Sequence, residues 1–116
     1  QVSKTRSPIT THILDLAKGQ AAANIQVKLE KLEEKSSWKP LAHSRTNSNG
    51  RIEDFLAADF MMTTGNYRLV FDLESYFGKK SFYPEVTIHF QIIDTQQHYH
   101  IPLLLSPFGY STYRGT

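Results

Sequence analysis

The stretch NIQVKLEKLE, residues Asn24 to Glu33, sets Ile25, Val27 and Leu29 against Gln26, Lys28 and Glu30 with a period of two. Such alternation predicts a strand with one face on a core and the other in water. Similar runs recur on both sides of it. THILDL (Thr11 to Leu16) reads as a strand closed by Lys18-Gly19, and Trp38 to Arg45 and NYRLVFDL (Asn66 to Leu73) as two more. Val86, Ile88, Phe90 and Ile92 alternate with Thr87, His89, Gln91 and Ile93 in a long strand. Asp94 to Gln97 turns the chain, and HYHIPLLL (His98 to Leu105) is expected to pair back onto that strand, with Pro102 marking an edge or a bulge.

The punctuation supports the same class. NSNG (Asn47 to Gly50) offers the positive φ that a tight hairpin needs, immediately before Arg51. LESYFGKK (Leu73 to Lys80) predicts one short surface helix, and SPFG (Ser106 to Gly109) a last turn before a closing strand, Tyr110 to Thr116. Many short strands between turns predict an all-β, two-sheet sandwich. With no internal repeat or linker, residues 1–116 form a single domain, of which residues 1–8 are expected to be a flexible N-terminal segment.

Composition narrows the function classes. The 116 residues carry a formal charge of +2, with basic and acidic side chains interspersed, so nucleic acid is not an expected partner. The absence of cysteine excludes disulfide scaffolds, thiolate metal sites and thiol nucleophiles. No run approaches the roughly 18 apolar residues of a membrane span, so no membrane association is expected either. The chain begins at Gln1 rather than Met, which fits a removed export signal; the expectation is a periplasmic protein, with cytoplasmic and peroxisomal locations as alternatives.

Five histidines, at positions 12, 43, 89, 98 and 100, carry the candidate chemistry. His98 and His100 share one face of a strand, with Tyr99 opposite. Imidazole titrates near neutral pH and suits proton transfer, although a pair of exposed or structurally satisfied histidines has the same spacing. Two imidazoles could share a metal ion, but no HExxH helix or neighbouring carboxylate completes a ligand set, so no metal is assigned. His12 shares its side of the first strand with Thr10 and Leu14, and a lone histidine there is ordinarily structural. His43 and His89 read as surface positions. Arg51 is either a solvated charge or a planar anion-binding fork. There is no GxSxG elbow, phosphate loop or paired-carboxylate motif.

Taken together, SPITTHILDLAKGQAAANIQVKLEKL, NSNGRI, GNYRLVFDLESYF, SFYPEVTIHFQI and HYHIPLLLSPFGYSTYRGT resemble the transthyretin-like family, specifically its 5-hydroxyisourate hydrolase branch. The resemblance runs from about Ile9 to Thr116. Its specific marks are THILD, the GR after the central turn, and the Tyr-Arg-Gly-hydroxyl tetrapeptide. It implies an eight-strand, two-sheet transthyretin-like sandwich with one short helix, assembled as a homotetramer (a dimer of dimers) with sites in the channel between dimers. It also implies hydrolysis of 5-hydroxyisourate, a product of urate oxidation, to 2-oxo-4-hydroxy-4-carboxy-5-ureidoimidazoline, without cofactor.

Position by position, the resemblance implies catalytic roles for His12, Arg51, His100 and Thr116, and substrate contacts for Tyr113, Arg114, Gly115 and His98. His12 and His100 would share the acid and base work, the two arginines would hold the anionic ring, and the Thr116 hydroxyl and carboxylate would orient water or a histidine. Family members usually end in serine; Thr116 keeps the hydroxyl and adds a methyl group that stiffens the rotamer. The alternative is a small-ligand carrier of the transthyretin type. That carrier has lysine, glutamate and threonine where this chain has His12, Arg51 and His100.

Overall fold

The computed structural model describes residues 7–116. Nine strands form among them: β1 (Ile9–Asp15), β2 (Gln20–Ala21), β3 (Gln26–Leu32), β4 (Trp38–Arg45), β5 (Arg51–Ile52), β6 (Gly65–Asp72), β7 (Glu85–Ile92), β8 (Tyr99–Ser106) and β9 (Gly109–Thr112). One helical turn, α1 (Glu74–Phe77), continues into a 3₁₀ turn over Gly78–Lys80, where the sequence predicts a single short helix. Where the resemblance implies eight strands, β2 and β5 are separate two-residue pieces.

Two sheets stack. The first runs β2-β1-β8-β9, and the second β4-β3-β6-β7. The far side of β1 is shared by two short partners, β2 opposite Leu14 and Asp15 and β5 opposite Thr11 and His12. Alternation decides what lies between the sheets. Ile9, Ile13, Leu103 and Leu105 from the first sheet meet Val27, Leu29, Leu69 and Phe71 from the second, all fully buried. Each such side chain contributes about 1.5–3 kcal/mol of burial.

The pairing of β8 departs from expectation. It lies parallel to β1 and antiparallel to β9, in the sheet opposite β7. A hairpin return onto β7 would have bonded the turn's backbone groups to a strand. Instead, the Tyr99 hydroxyl takes the Asp94 backbone, accepting from its N–H at 3.2 Å and donating to its carbonyl at 2.7 Å. The chain then crosses between sheets. Pro102 consequently sits in a central strand rather than at an edge. Tyr99, Ile101 and Leu105 turn their backbone bonds toward β1, so Pro102 turns its missing donor to the other side, where the β9 ladder has ended. Its carbonyl there accepts from Thr112 Oγ1 at 2.7 Å.

Two further expectations shift. NSNG does not close a hairpin: it carries the chain from β4 in one sheet to β5 in the other, and Gly50 is its positive-φ residue. The closing strand stops at Thr112, and the chain returns to the sheet only at Gly115, in an isolated bridge to His100. Of the N-terminal segment expected to be flexible, residues 1–6 lie outside the described residues. Ser7 and Pro8 are hydrogen-bonded: Ser7 Oγ is buried, donating to the Ile9 carbonyl and accepting from the Leu56 N–H, and the Pro8 carbonyl accepts from Tyr99 N–H.

Asp15, 1% exposed, closes the end of β1. One carboxylate oxygen accepts from the Ala17 and Lys18 N–H groups, and the other from the Tyr76 hydroxyl at 2.8 Å, which ties α1 to the first sheet. Burial first, and then this bond and the Asp15 charge, push the Tyr76 hydroxyl up to about 12.

Candidate active site

The register places the candidate residues on one surface. Thr10 pairs with His100 and His12 with Pro102 across the parallel β1–β8 ladder, while His12 pairs with Arg51 across β1–β5. Direct partners share a face of a sheet. Ile9, Thr11, Ile13, Tyr99, Ile101 and Leu103, which alternate with these residues, point into the core. Thr10, His12, Arg51, His98 and His100 therefore share the outer face of the first sheet. Two residues of rise and one strand spacing separate His12 from His100, roughly 8 Å between Cα positions. A planar heterocycle can lie across that gap.

The turn before β5 aims Arg51. Asn47 Oδ1 accepts from the N–H groups of Asn49 and Arg51, at 2.8 and 3.1 Å, and the Gly50 carbonyl accepts from Ile13 N–H at 2.7 Å. A Cβ on Gly50 would lie 2.5 Å from the Ile13 carbonyl oxygen, so only glycine lets the turn dock this closely. Arg51 thus stands beside His12. Burial, and next the Arg51 guanidinium, lower the His12 pKa, while a hydrogen bond to the Asn49 backbone and the charge of Glu53 act in the opposite direction. Near neutral pH this imidazole is uncharged and able to accept a proton.

His100 is held differently. Thr10, 3% exposed, places Oγ1 2.8 Å from His100 Nδ1 and 3.0 Å from His98 Nε2. On the other side, Gly115 N–H donates to the His100 carbonyl at 2.8 Å. A Cβ at Gly115 would come within 2.6 Å of His100 Cδ2 and 3.2 Å of Pro102 Cγ. The ring is clasped between a buried hydroxyl and a glycine at which any Cβ would crowd it. His43 and His89 are exposed, as expected; His89 meets Asn66 Oδ1 at 2.9 Å and the edge of Trp38.

Arg114 is not brought to the same surface. Gly115 bridges to His100, while Arg114 reaches the Tyr99 ring. Its guanidinium lies 4.6 Å from the centre of the Tyr99 ring and donates to Gln97 Oε1 at 2.7 Å. There it borders a cleft of ≈ 280 Å³ between β7 and the tail, lined also by Ile88, Phe90, Tyr99 and Tyr113, with His100 at its wall. Tyr113 and Thr116 are exposed. Thr10 enters sequence reasoning only as a neighbour of His12, because its contact with two histidines depends on a parallel register that local pattern does not encode. Among the described residues, no three His, Asp or Glu side chains are grouped to hold a metal ion, and no helix is long and apolar enough to cross a membrane.

Comparison with known proteins gives a consistent picture. The model of the HIUase/Transthyretin family matches residues 9–115. The 5-hydroxyisourate hydrolase of Mus musculus is 43% identical, over 95% of this chain and 96% of its own length. A probable 5-hydroxyisourate hydrolase of Caenorhabditis elegans is also 43% identical, over 93% of this chain and 81% of the relative. Among solved structures, sea bream transthyretin in complex with thyroxine superposes with a TM-score of 0.87 at 28% identity, covering 95% of this chain and 96% of that one.

Proposed function

The chain belongs to the HIUase/Transthyretin family, and from that premise we propose that it hydrolyses 5-hydroxyisourate in urate degradation. The observation that carries the reading is the pairing of His12 with Arg51 on the face that also presents His100. The substrate is a flat, acidic heterocycle whose ring must be opened by water. Its hydrolysis needs a base for that water, a cation for the ring's charge and a donor for the oxyanion at the attacked carbonyl.

Each need has a residue. His12, held neutral, takes a proton from water as the oxygen attacks the ring carbonyl. Arg51 presents a planar fork to the anionic edge of the ring and steadies the developing charge. His100, across the gap, donates a hydrogen bond to the carbonyl oxygen as it gains charge, and the proton taken up by His12 passes to the departing ring nitrogen as the carbon–nitrogen bond breaks. Gly115 lets the tail close against His100, and Tyr113 lines the cleft that His100 walls; Thr116, which follows Gly115 directly, is proposed to orient water or a histidine through its hydroxyl. Arg114 supports the site through its contacts with Tyr99 and Gln97, which fasten the tail.

The working assembly is a homotetramer, a dimer of dimers with the outer face of the first sheet lining the channel. Exposed Ile93, Phe82 and Phe108 support association, since large apolar side chains in water favour burial by a partner. Sedimentation should give four times the 13.3 kDa chain mass. The likeness to a thyroxine-bound transthyretin favours a carrier less than an enzyme, because an uncharged imidazole beside a guanidinium suits proton transfer. The direct test uses urate oxidase to generate 5-hydroxyisourate. Added protein should speed the decay of its near-ultraviolet absorbance, and an unchanged decay would overturn the reading.

A further inference from the structure

We propose that Thr10 is the positioning residue of the site: its hydroxyl, between His98 Nε2 and His100 Nδ1, fixes the tautomer in which His100 meets the substrate. The proposal rests on the hydrolase reading for its consequence in catalysis, but its structural content is independent of it.

A threonine hydroxyl has one hydrogen to give and lone pairs to accept with. At 2.8 and 3.0 Å from the two ring nitrogens it can donate to only one, so at least one of the two must carry its own N–H and donate to Oγ1. The tautomers of the two histidines are therefore coupled through a single buried oxygen. In the arrangement that serves the mechanism, Thr10 donates to His100 Nδ1 and His98 Nε2–H donates to Thr10. The neutral His100 ring then bears its hydrogen on Nε2, the nitrogen bonded to Cδ2 and so on the Gly115 side. That is the form required of the group answering His12 across the gap, a donor facing a base.

Burial makes the bridge selective. Thr10 is 3% exposed, so water competes poorly for its hydroxyl, and an unpaired buried donor or acceptor is costly. Other titratable or charged groups near His100 come from the neighbouring elements: His98 through Thr10, His89 on β7, and Tyr113 and Arg114 in the tail, with His12 and Arg51 farther along the same face.

The test combines Thr10→Val, which keeps the shape and removes the hydroxyl, with Thr10→Ser, which restores it. Nitrogen-15 spectra of the imidazoles read the tautomers whether or not the protein turns over substrate. The unaltered protein and Thr10→Ser should show protonated Nε2 on His100, and Thr10→Val a mixture of tautomers. With 5-hydroxyisourate, Thr10→Val should lower kcat about ten- to a hundred-fold, part of the two to four decades that acid and base help contributes, with KM little changed and kcat recovered in Thr10→Ser. An unaltered His100 tautomer in Thr10→Val, or an Nδ1-protonated His100 in the unaltered protein, would overturn the assignment. Absence of turnover in the unaltered protein would instead count against the hydrolase reading, leaving the spectra to decide on Thr10.

Discussion

His12 and Arg51 stand directly opposite each other across the β1–β5 pairing, on the face of the sheet that carries His100. The pairing depends on a turn that only glycine at position 50 can make, since a Cβ there would collide with the Ile13 carbonyl. A short stretch of chain thereby delivers a cation to the side of a histidine. Because the guanidinium disfavours imidazolium, the two residues act as a base and its electrostatic control.

The first prediction concerns that control. Arg51→Gln removes a positive neighbour, so the His12 pKa should rise and the acid limb of kcat/KM should move to higher pH. Burial, the larger cause of the lowering, remains in the variant, opposed by the Asn49 backbone bond and the Glu53 charge. Glu53→Gln should shift the limb the opposite way. Loss of a charge-assisted contact to the substrate, worth about 1.5–3 kcal/mol, should also lower kcat/KM by about ten- to a hundred-fold in Arg51→Gln. Steady-state rates across pH 4 to 9, as an order-of-magnitude range around neutrality, would measure both effects.

Gly115→Ala should displace either the tail or the His100 ring, since the new Cβ would lie 2.6 Å from Cδ2. Misplacement of a reacting group by about 1 Å costs on the order of a hundred-fold in rate. Turnover should fall by up to that amount with little change in Tm, because the tail lies at the surface. A crystal structure of the variant would show which partner yields.

Arg114→Ala should weaken turnover less than Arg51→Gln does. Arg114 grips Tyr99 and Gln97 rather than the face that carries His12. Gln97→Ala should reproduce part of the loss, and the double variant should fall short of the sum, as expected for two residues of one contact. A fully additive double variant would argue for a separate contact of Arg114 with substrate.

Tyr76→Phe addresses stability. It strips a donor from the buried Asp15 carboxylate, and a hydrogen bond to a charged group is worth about 1.5–3 kcal/mol. Chemical denaturation should show a loss in that range while activity of the folded protein is kept, because α1 lies away from His12 and His100.

Much of the architecture was legible in the residues. A period of two identified Ile25, Val27 and Leu29 as core-facing, and the same rule put His98 and His100 side by side. Period says which way a side chain points, however, and nothing about which strand lies next door. The return of β8 onto β7 was therefore a reasonable hairpin inference that Tyr99 overrode by occupying the backbone of the turn. Thr10 stayed hidden for the same reason, since a parallel register joins residues about ninety apart.

The account turns on His12 and His100 acting on one substrate from facing positions. The decisive measurement is the decay rate of enzymatically generated 5-hydroxyisourate with His12→Asn and with His100→Asn, each first shown by circular dichroism to be folded. Acid and base help of this kind contributes about two to four decades, so both variants should lose rate on that scale. Turnover within a few-fold of the unaltered protein in either variant would contradict the assignment.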